Sequence, residues 1–181
     1  VRALGKVIEA GHLSRGFKPV YWCENCLSAL AEAEVEYIEK ESIAIDFLFP
    51  VDSKSLDKVF NLKIKYDCYF ASWTTTPWTI PANKAISVNP DLEYELIELE
   101  VNQMKFALVM ASSLKEKTLE RYAVTEHNSL GKILGKKLEG ILCKHPLLNQ
   151  ESPIILGAHV TDEMGTGLVH TAPAHGIEDY E

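Results

Sequence analysis

Disulfide-forming cysteine, long apolar runs and basic charge are all in short supply in this chain of 181 residues. Its four cysteines, at positions 23, 26, 68 and 143, make no disulfide framework for a chain of this length, and the default expectation is free thiols in a reducing, cytoplasmic setting. No apolar run approaches the roughly 20 residues that a membrane helix needs, and no basic-then-apolar leader precedes the first periodic segment, so no membrane partner is expected. Lysine and arginine number 18 against 26 aspartates and glutamates. The net charge of −8 argues against a broad electrostatic footprint on nucleic acid and confines any such contact to a local one. Repeats, low-complexity tracts and internal linkers are lacking as well. What is there, 46% hydrophobic and 24% charged residues, is the balance of an ordinary globular domain. The chain opens in a helical pattern at Val1, without a methionine, and the expectation is a piece of a larger protein.

Leu4, Val7 and Ile8 fall at i, i+3 and i+4 of an amphipathic helix that Gly11 or Gly16 would end. Phe17 to Trp22 has the aromatic and β-branched makeup of a short strand. Val35 and Tyr37 alternate with Glu34 and Glu36 as a half-buried strand does, and Ile43, Ile45, Phe47 and Phe49 repeat that period more strongly up to Pro50. Asp52 or Ser53 caps a short helix with Leu56, Val59 and Phe60 on one face. A strand is predicted from Tyr66 to Thr75, after which Pro77 and Pro81 force irregular backbone. Asn89-Pro90-Asp91 turns the chain between Ala85–Val88 and Tyr94–Leu99, and Lys105–Met110 is a short apolar strand. Ser112 or Ser113 opens a helix to about Tyr122, and Ile154–Leu156 and Leu168–Val169 follow a glycine-punctuated stretch. Many short strands with scattered helices predict an α+β, strand-dominated fold with a β-barrel-like core and peripheral helices.

Two segments carry chemistry. In Trp73-Thr74-Thr75-Thr76-Pro77-Trp78, three hydroxyls lie between two indoles. Threonines in a plain strand merely satisfy β-propensity, but the proline stops the ladder and frees backbone N–H and hydroxyl groups for a ligand. Trp73 and Trp78 serve either as rigid walls of a pocket or as ordinary core and rim residues. The second segment runs from Gly165 to Tyr180 and holds His170, His175 and Asp179 among small residues. His170 is a ligand-facing imidazole or a satisfied core histidine, and Asp179 a site carboxylate or a turn cap. The proline and glycine between the histidines prevent the one-face helical spacing of the stronger metal signatures. Cys23-Glu24-Asn25-Cys26 is half of a zinc knuckle whose second pair is missing, so structural thiols are the simpler reading.

Lys18 to Trp22, Ala29 to Tyr37, Trp73 to Asn83 and Gly165 to Tyr180, in that order, resemble the editing domain of class I isoleucyl-tRNA synthetases, a connective insertion in the catalytic nucleotide-binding fold. The resemblance spans essentially the whole chain and implies one editing domain over residues 1–181, with 1–33 and 170–181 near the junctions with a parent body. Histidine at 170, within Val-His-Thr-Ala-Pro, favours the isoleucyl branch, because the valyl branch typically carries lysine there. Ala174 stands where glycine is frequent and Glu178 where aspartate is common; neither touches a residue whose role is carried over.

What the resemblance implies is post-transfer editing: hydrolysis of the ester bond of valyl-tRNA(Ile), with isoleucine excluded by pocket size. The parent enzyme would ligate isoleucine to tRNA(Ile) with ATP, and ATP and magnesium would belong to that synthetic site. Editing itself would need no cofactor and no metal. Its partners would be the 3′ end of tRNA(Ile) carrying valine and the rest of the parent synthetase. By the same resemblance Asp179 would hold the α-ammonium group. Thr75 and Thr76, with local backbone amides, would grip the terminal adenosine and the ester and help place water, which makes them catalytic together with Asp179; Thr74 would join them in binding substrate, and Trp78 and His170 would shape the side-chain pocket. Other readings stay open: a valyl-type domain clearing threonyl-tRNA, a metal-dependent hydrolase using His170, His175 and Asp179, or a non-catalytic module that binds the tRNA end.

Overall fold

Each segment with a period of two has one face to bury, and those segments supply the frame. The computed structural model describes residues 1–39, 41–101 and 103–180. Helix α1 (Arg2–Glu9) and the hairpin of β1 (Tyr21–Cys23) and β2 (Ser28–Leu30) come first. Then follow β3 (Ile45–Val51), α2 (Ser53–Phe60), β4 (Asp67–Thr74), β5 (Ala85–Val88), β6 (Glu93–Val101) and β7 (Met104–Ala111). The chain continues through α3 (Lys115–Arg121), β8 (His127–Leu134), β9 (Leu142–Lys144), β10 (Glu151–Leu156), β11 (Leu168–Thr171) and α4 (Ile177–Tyr180).

Among the described residues nine strands form one mixed sheet in the order β11-β5-β10-β9-β3-β4-β7-β6-β8. The pairs β5–β10 and β4–β7 are parallel, and the other neighbours antiparallel. Pro50 is tolerated inside β3 because β9 pairs with that strand only at Val51, so a residue without an N–H falls at a near-open edge. Phe49, Phe70, Leu96, Ile97, Leu108 and Met110 fill the interior, and α2 and α3 close it with Leu56 and Leu119. The Asp52 carboxylate accepts the Lys54 N–H at 3.0 Å and caps α2 as expected. Among the described residues no helix is long and apolar enough to cross a membrane.

The strand-dominated α+β fold is the expected one, but the barrel-like core is not a closed ring. Strands β11 and β8 stand at the two ends of the sheet, unpaired with each other. Gly165 and Gly167, both at φ +74°, swing the chain so that β11 ladders with β5 and crosses over β4 and β7. There it is held by isolated bonds, from Ser72 Oγ to the Leu168 carbonyl (3.2 Å) and from the Ala111 N–H to the Thr166 carbonyl (2.9 Å). Tyr94, wholly buried on β6, donates its hydroxyl to the Gly167 carbonyl at 2.7 Å and accepts the Asn89 N–H at 2.9 Å, and burial pushes its phenol up to about 12.

Two further expectations fail locally. Val35 and Tyr37 form no strand; a 3-10 turn at Glu32–Glu34 leads into unpaired chain, and Tyr37 is 83% exposed. Alternation alone cannot make a strand where no neighbour offers a ladder. The strand expected over Phe17–Trp22 contracts to Tyr21–Cys23, the length its hairpin partner can match.

Gly167 combines a left-handed backbone with close packing, since an added Cβ would sit 2.3 Å from the Ala111 Cβ. Gly167→Ala should therefore cost about 2–4 kcal/mol, the sum of backbone strain and overpacking. Urea unfolding should show a lower midpoint at unchanged slope, and a midpoint equal to wild type would refute this packing account.

Candidate active site

Strand β4 delivers the threonines to the rim of the sheet. Thr74 closes the strand with its side chain buried, while Thr75 and Thr76 are exposed. The Thr76 N–H donates back to Thr74 Oγ1 at 3.1 Å, which bends the chain out of the ladder. Pro77 then opens a 3-10 turn over Pro77–Ala82, a position that needs no N–H. Both the N–H and the hydroxyl of Thr79 donate to the Thr76 carbonyl, at 3.0 and 2.8 Å. From beneath, buried His145 donates Nε2–H to the Ile80 carbonyl at 2.9 Å and accepts the N–H groups of Leu147 and Leu148 at Nδ1, at 3.0 and 3.1 Å.

Strand β11 brings the second segment to the same place. His170 lies opposite Ile86 on β5 and is 7% exposed. Its Nε2 is 2.8 Å from Thr79 Oγ1 and its Nδ1 3.3 Å from Asn83 Nδ2. The Phe47 ring meets it edge-on, with centroids 5.9 Å apart. Burial pulls the His170 imidazole below its ordinary 6.5; the Asp179 charge opposes that shift, and His145 and His175 add to it. Asp179, in α4, accepts the Ala172 N–H at Oδ2, 2.7 Å away, and its Oδ1 makes no hydrogen bond among the described residues.

Thus Thr74, Thr76 and His170 converge around Thr79, and Asp179 is tied to the chain two residues beyond His170. Thr75 and Trp78 are on the outer side of the bend; Trp78 is 68% exposed, and the Thr75 carbonyl accepts the Ser42 hydroxyl at 2.8 Å. Beside the bend runs a groove of about 260 Å³ between Trp73–Thr75 and the segment from His159 to Val169. The buried Thr166 hydroxyl in its wall has no hydrogen-bond partner among the described residues. Thr79, Asn83, Phe47 and Ser152 are participants that the sequence reading passed over. Thr79 carried a usable signal, a polar residue between two prolines with apolar neighbours, and Asn83 a weaker one, a polar residue two positions beyond Pro81. Ser152 carried none.

For a metal, the geometry is unfavourable. Both ring nitrogens of His170 face protein partners, His175 is exposed, and among the described residues no group of three or more His, Cys, Asp or Glu side chains converges. At the β1–β2 turn the Cys26 N–H donates to Cys23 Sγ at 3.3 Å, a bond that lowers the affinity of Cys23 for its proton. Cys68 and Cys143 are buried on strands flanking Val51, and burial pushes their thiols up to about 11 and about 12.

The model of the family described as tRNA synthetases class I (I, L, M and V) matches residues 1–145. The chain belongs to this family. It is 50% identical over 182 aligned residues to the isoleucine--tRNA ligases of Francisella tularensis subsp. tularensis (strain WY96-3418) and of subsp. novicida (strain U112). Those alignments cover 99% of this chain and 19% of either ligase, so the chain spans about a fifth of the length of the curated relatives it matches. In fold it is similar to the cytosolic leucyl-tRNA synthetase editing domains of P. knowlesi (TM-score 0.64, 14% identity, 77% of this chain and 62% of that one) and P. falciparum (0.65, 13%, 76% and 63%). A class I synthetase chain with this fold carries its threonine bend within the family match, whereas His170 and Asp179 lie beyond residue 145 and within the alignments to the ligases.

The depressed proton affinity of His170 has a consequence for stability. Between its folded value and the ordinary 6.5, the unfolded chain binds more protons than the folded one. The contribution of the neutral ring is full above 6.5 and is lost as pH falls through that window. Unfolding midpoints measured from about pH 7.5 down to about pH 5 should therefore decline, and His170→Gln should flatten part of the decline. An identical pH slope in the variant would assign it to other groups.

Proposed function

We propose that this chain is the proofreading unit of an isoleucine--tRNA ligase and hydrolyses the ester bond of valyl-tRNA(Ile). The observation that carries this reading is the convergence, at one rim of the sheet, of a threonine bend, a buried neutral histidine and a half-buried carboxylate. Family membership and the identity to isoleucine ligases support it. The need follows from energetics. One methylene in an apolar pocket discriminates by only about 1–3 kcal/mol, a limit for which isoleucine against valine is itself the standard illustration. A second, smaller pocket that admits valine and refuses isoleucine makes up the deficit.

An aminoacyl ester is already activated, so positioning and charge stabilisation suffice without a covalent nucleophile. In this proposal Asp179 Oδ1 holds the α-ammonium group by a charge-assisted bond while Oδ2 stays on Ala172. The exposed Thr75 and Thr76, with the groove beside Trp73, receive the terminal adenosine and the ester carbonyl, and Thr74 holds the bend for that task by accepting the Thr76 N–H. His170 forms the wall that isoleucine would strike, with Trp78 flanking the entrance. Water attacks the ester carbonyl, and the terminal ribose hydroxyl of the tRNA assists it. Cofactors are left to the synthetic site of the parent enzyme, where ATP and magnesium act. With a net charge of −8, the chain relies on the parent body for most phosphate contacts. A cytoplasmic setting belongs to the same reading.

Two variants test it. Asp179→Asn keeps an oxygen for the Ala172 N–H but removes the charge, and should lower kcat/KM for valyl-tRNA(Ile) deacylation by about 10- to 100-fold with an unchanged circular dichroism spectrum. Full activity would remove the ammonium-anchoring role. His170→Ala should open the pocket so that isoleucyl-tRNA(Ile) is deacylated as well; if that variant still spares isoleucyl-tRNA(Ile), the size-exclusion model is wrong. Preference of the wild type for threonyl- over valyl-charged tRNA would transfer the chain to a valyl-type role.

A further inference from the structure

Hydrogen-bond direction around His170 is fixed from both sides, and the fixed ends are acceptor-only carbonyls. On one side, Asn83 Nδ2 lies 2.8 Å from the Ala85 carbonyl, so the amide nitrogen must face that strand. The amide oxygen then faces Ser152 Oγ at 2.6 Å, and the serine must donate. The second N–H of Asn83 is left for His170 Nδ1, which must present a lone pair. On the other side, the Thr79 hydroxyl gives its only proton to the Thr76 carbonyl at 2.8 Å, so Thr79 Oγ1 can only accept from His170 Nε2. The two deductions use different residues and agree. Asn83 and Ser152 are wholly buried, so no solvent competes for these bonds.

We infer that Ser152, by clamping the Asn83 amide, together with Thr79, locks His170 as the neutral Nε2–H tautomer, and that Ser152 is a positioning residue for the site. A proton added at Nδ1 would point at the Asn83 N–H, donor against donor. The charged and titratable groups near the ring are Asp179, which favours protonation, and His145 and His175, which oppose it. The ring consequently has no free lone pair and no exchangeable role as a general base. It is a wall with fixed orientation, and its Nε2–H is spent on holding Thr79 and, through it, the threonine bend. That last step, from lock to pocket wall, rests on the proofreading reading; the tautomer itself does not.

The test is ¹⁵N NMR of the labelled 181-residue chain, reading the His170 ring nitrogens through a pH titration. Wild type should show a pyrrole-type Nε2 and a pyridine-type Nδ1 at neutral pH. Ser152→Ala leaves the Asn83 oxygen bare and its amide held by the Ala85 carbonyl alone, a weaker lock, so His170 should titrate about half a unit to one unit higher. Ser152→Thr, which restores the hydroxyl, should return the wild-type titration, a rescue that mere loss of packing would not give. In deacylation assays Ser152→Ala should hydrolyse isoleucyl-tRNA(Ile) several-fold faster than wild type. A protonated Nδ1 in the wild type overturns the inference even if the variants fail to fold, and so does a Ser152→Ala titration superimposable on wild type. A wild type that spares valyl-tRNA(Ile) speaks against the proofreading reading alone, because the tautomer is read without substrate.

Discussion

Backbone that leaves a sheet must still satisfy its polar groups, and everything at this rim follows from that requirement. Pro77 and Pro81 take the stretch after β4 out of the ladder and remove two donors from it. Each buried carbonyl or amide left over would cost about 1–3 kcal/mol. The Thr76 and Ile80 carbonyls are met by Thr79 and His145, and the carbonyl and side chain of Asn83 by Gln150 and Ser152. Thr79 belongs to the bend itself; the other partners come from β10 and the turn that joins it to β9, brought alongside by the parallel pairing of β10 with β5. The sheet is thus the support, and the irregular segment is the part it was built to hold.

The same requirement shapes the electrostatics. Buried polar partners in direct hydrogen-bond contact favour a neutral imidazole over an imidazolium, and burial lowers the proton affinity of His170 against the pull of the Asp179 carboxylate. Asp179 lies near the surface, half-buried, with one oxygen committed to Ala172. A site arranged in this way holds one negative point and several oriented dipoles. Those are the elements that position a cationic amino group and an activated ester, and the arrangement does not demand a nucleophile.

Period-two patterning around Phe47 and Phe49 gave β3 because both faces of that strand find neighbours, and the Asp52 cap was visible because capping is a local interaction. The same alternation at Val35 and Tyr37 misled, since pairing depends on a partner that local sequence does not encode. Two prolines announced the irregular bend, and small residues around His170 and Asp179 announced a turn. The bonds that join the two segments were not legible. Thr79 is 91 positions from His170, and Ser152 is 69 from Asn83. A buried serine on a strand looks in sequence like any other strand residue, and only topology gives it an amide to clamp. The open ring has a similar origin: Gly165 and Gly167 were visible as glycines, but their shared positive φ, which turns β11 toward β5, was not.

Asp179 shows why fold and chemistry cannot be separated here. Its Oδ2 bond to Ala172 fixes the chain that leaves His170, and α4, which carries the carboxylate, is anchored by Tyr180, whose hydroxyl donates to the Phe17 carbonyl. Through that contact the segment from Phe17 to Pro19, which contributes nothing to the buried core, reaches the carboxylate by way of one neighbouring residue. A displacement of the first segment would therefore tilt α4 and move Oδ1 relative to the threonine bend. The sheet would be undisturbed, because its own ladder ends at Thr171. The rigid half of the site, His170 and the bend, is set by buried hydrogen bonds. Its carboxylate half is held by the Ala172 N–H and, through Tyr180, by a surface contact with Phe17.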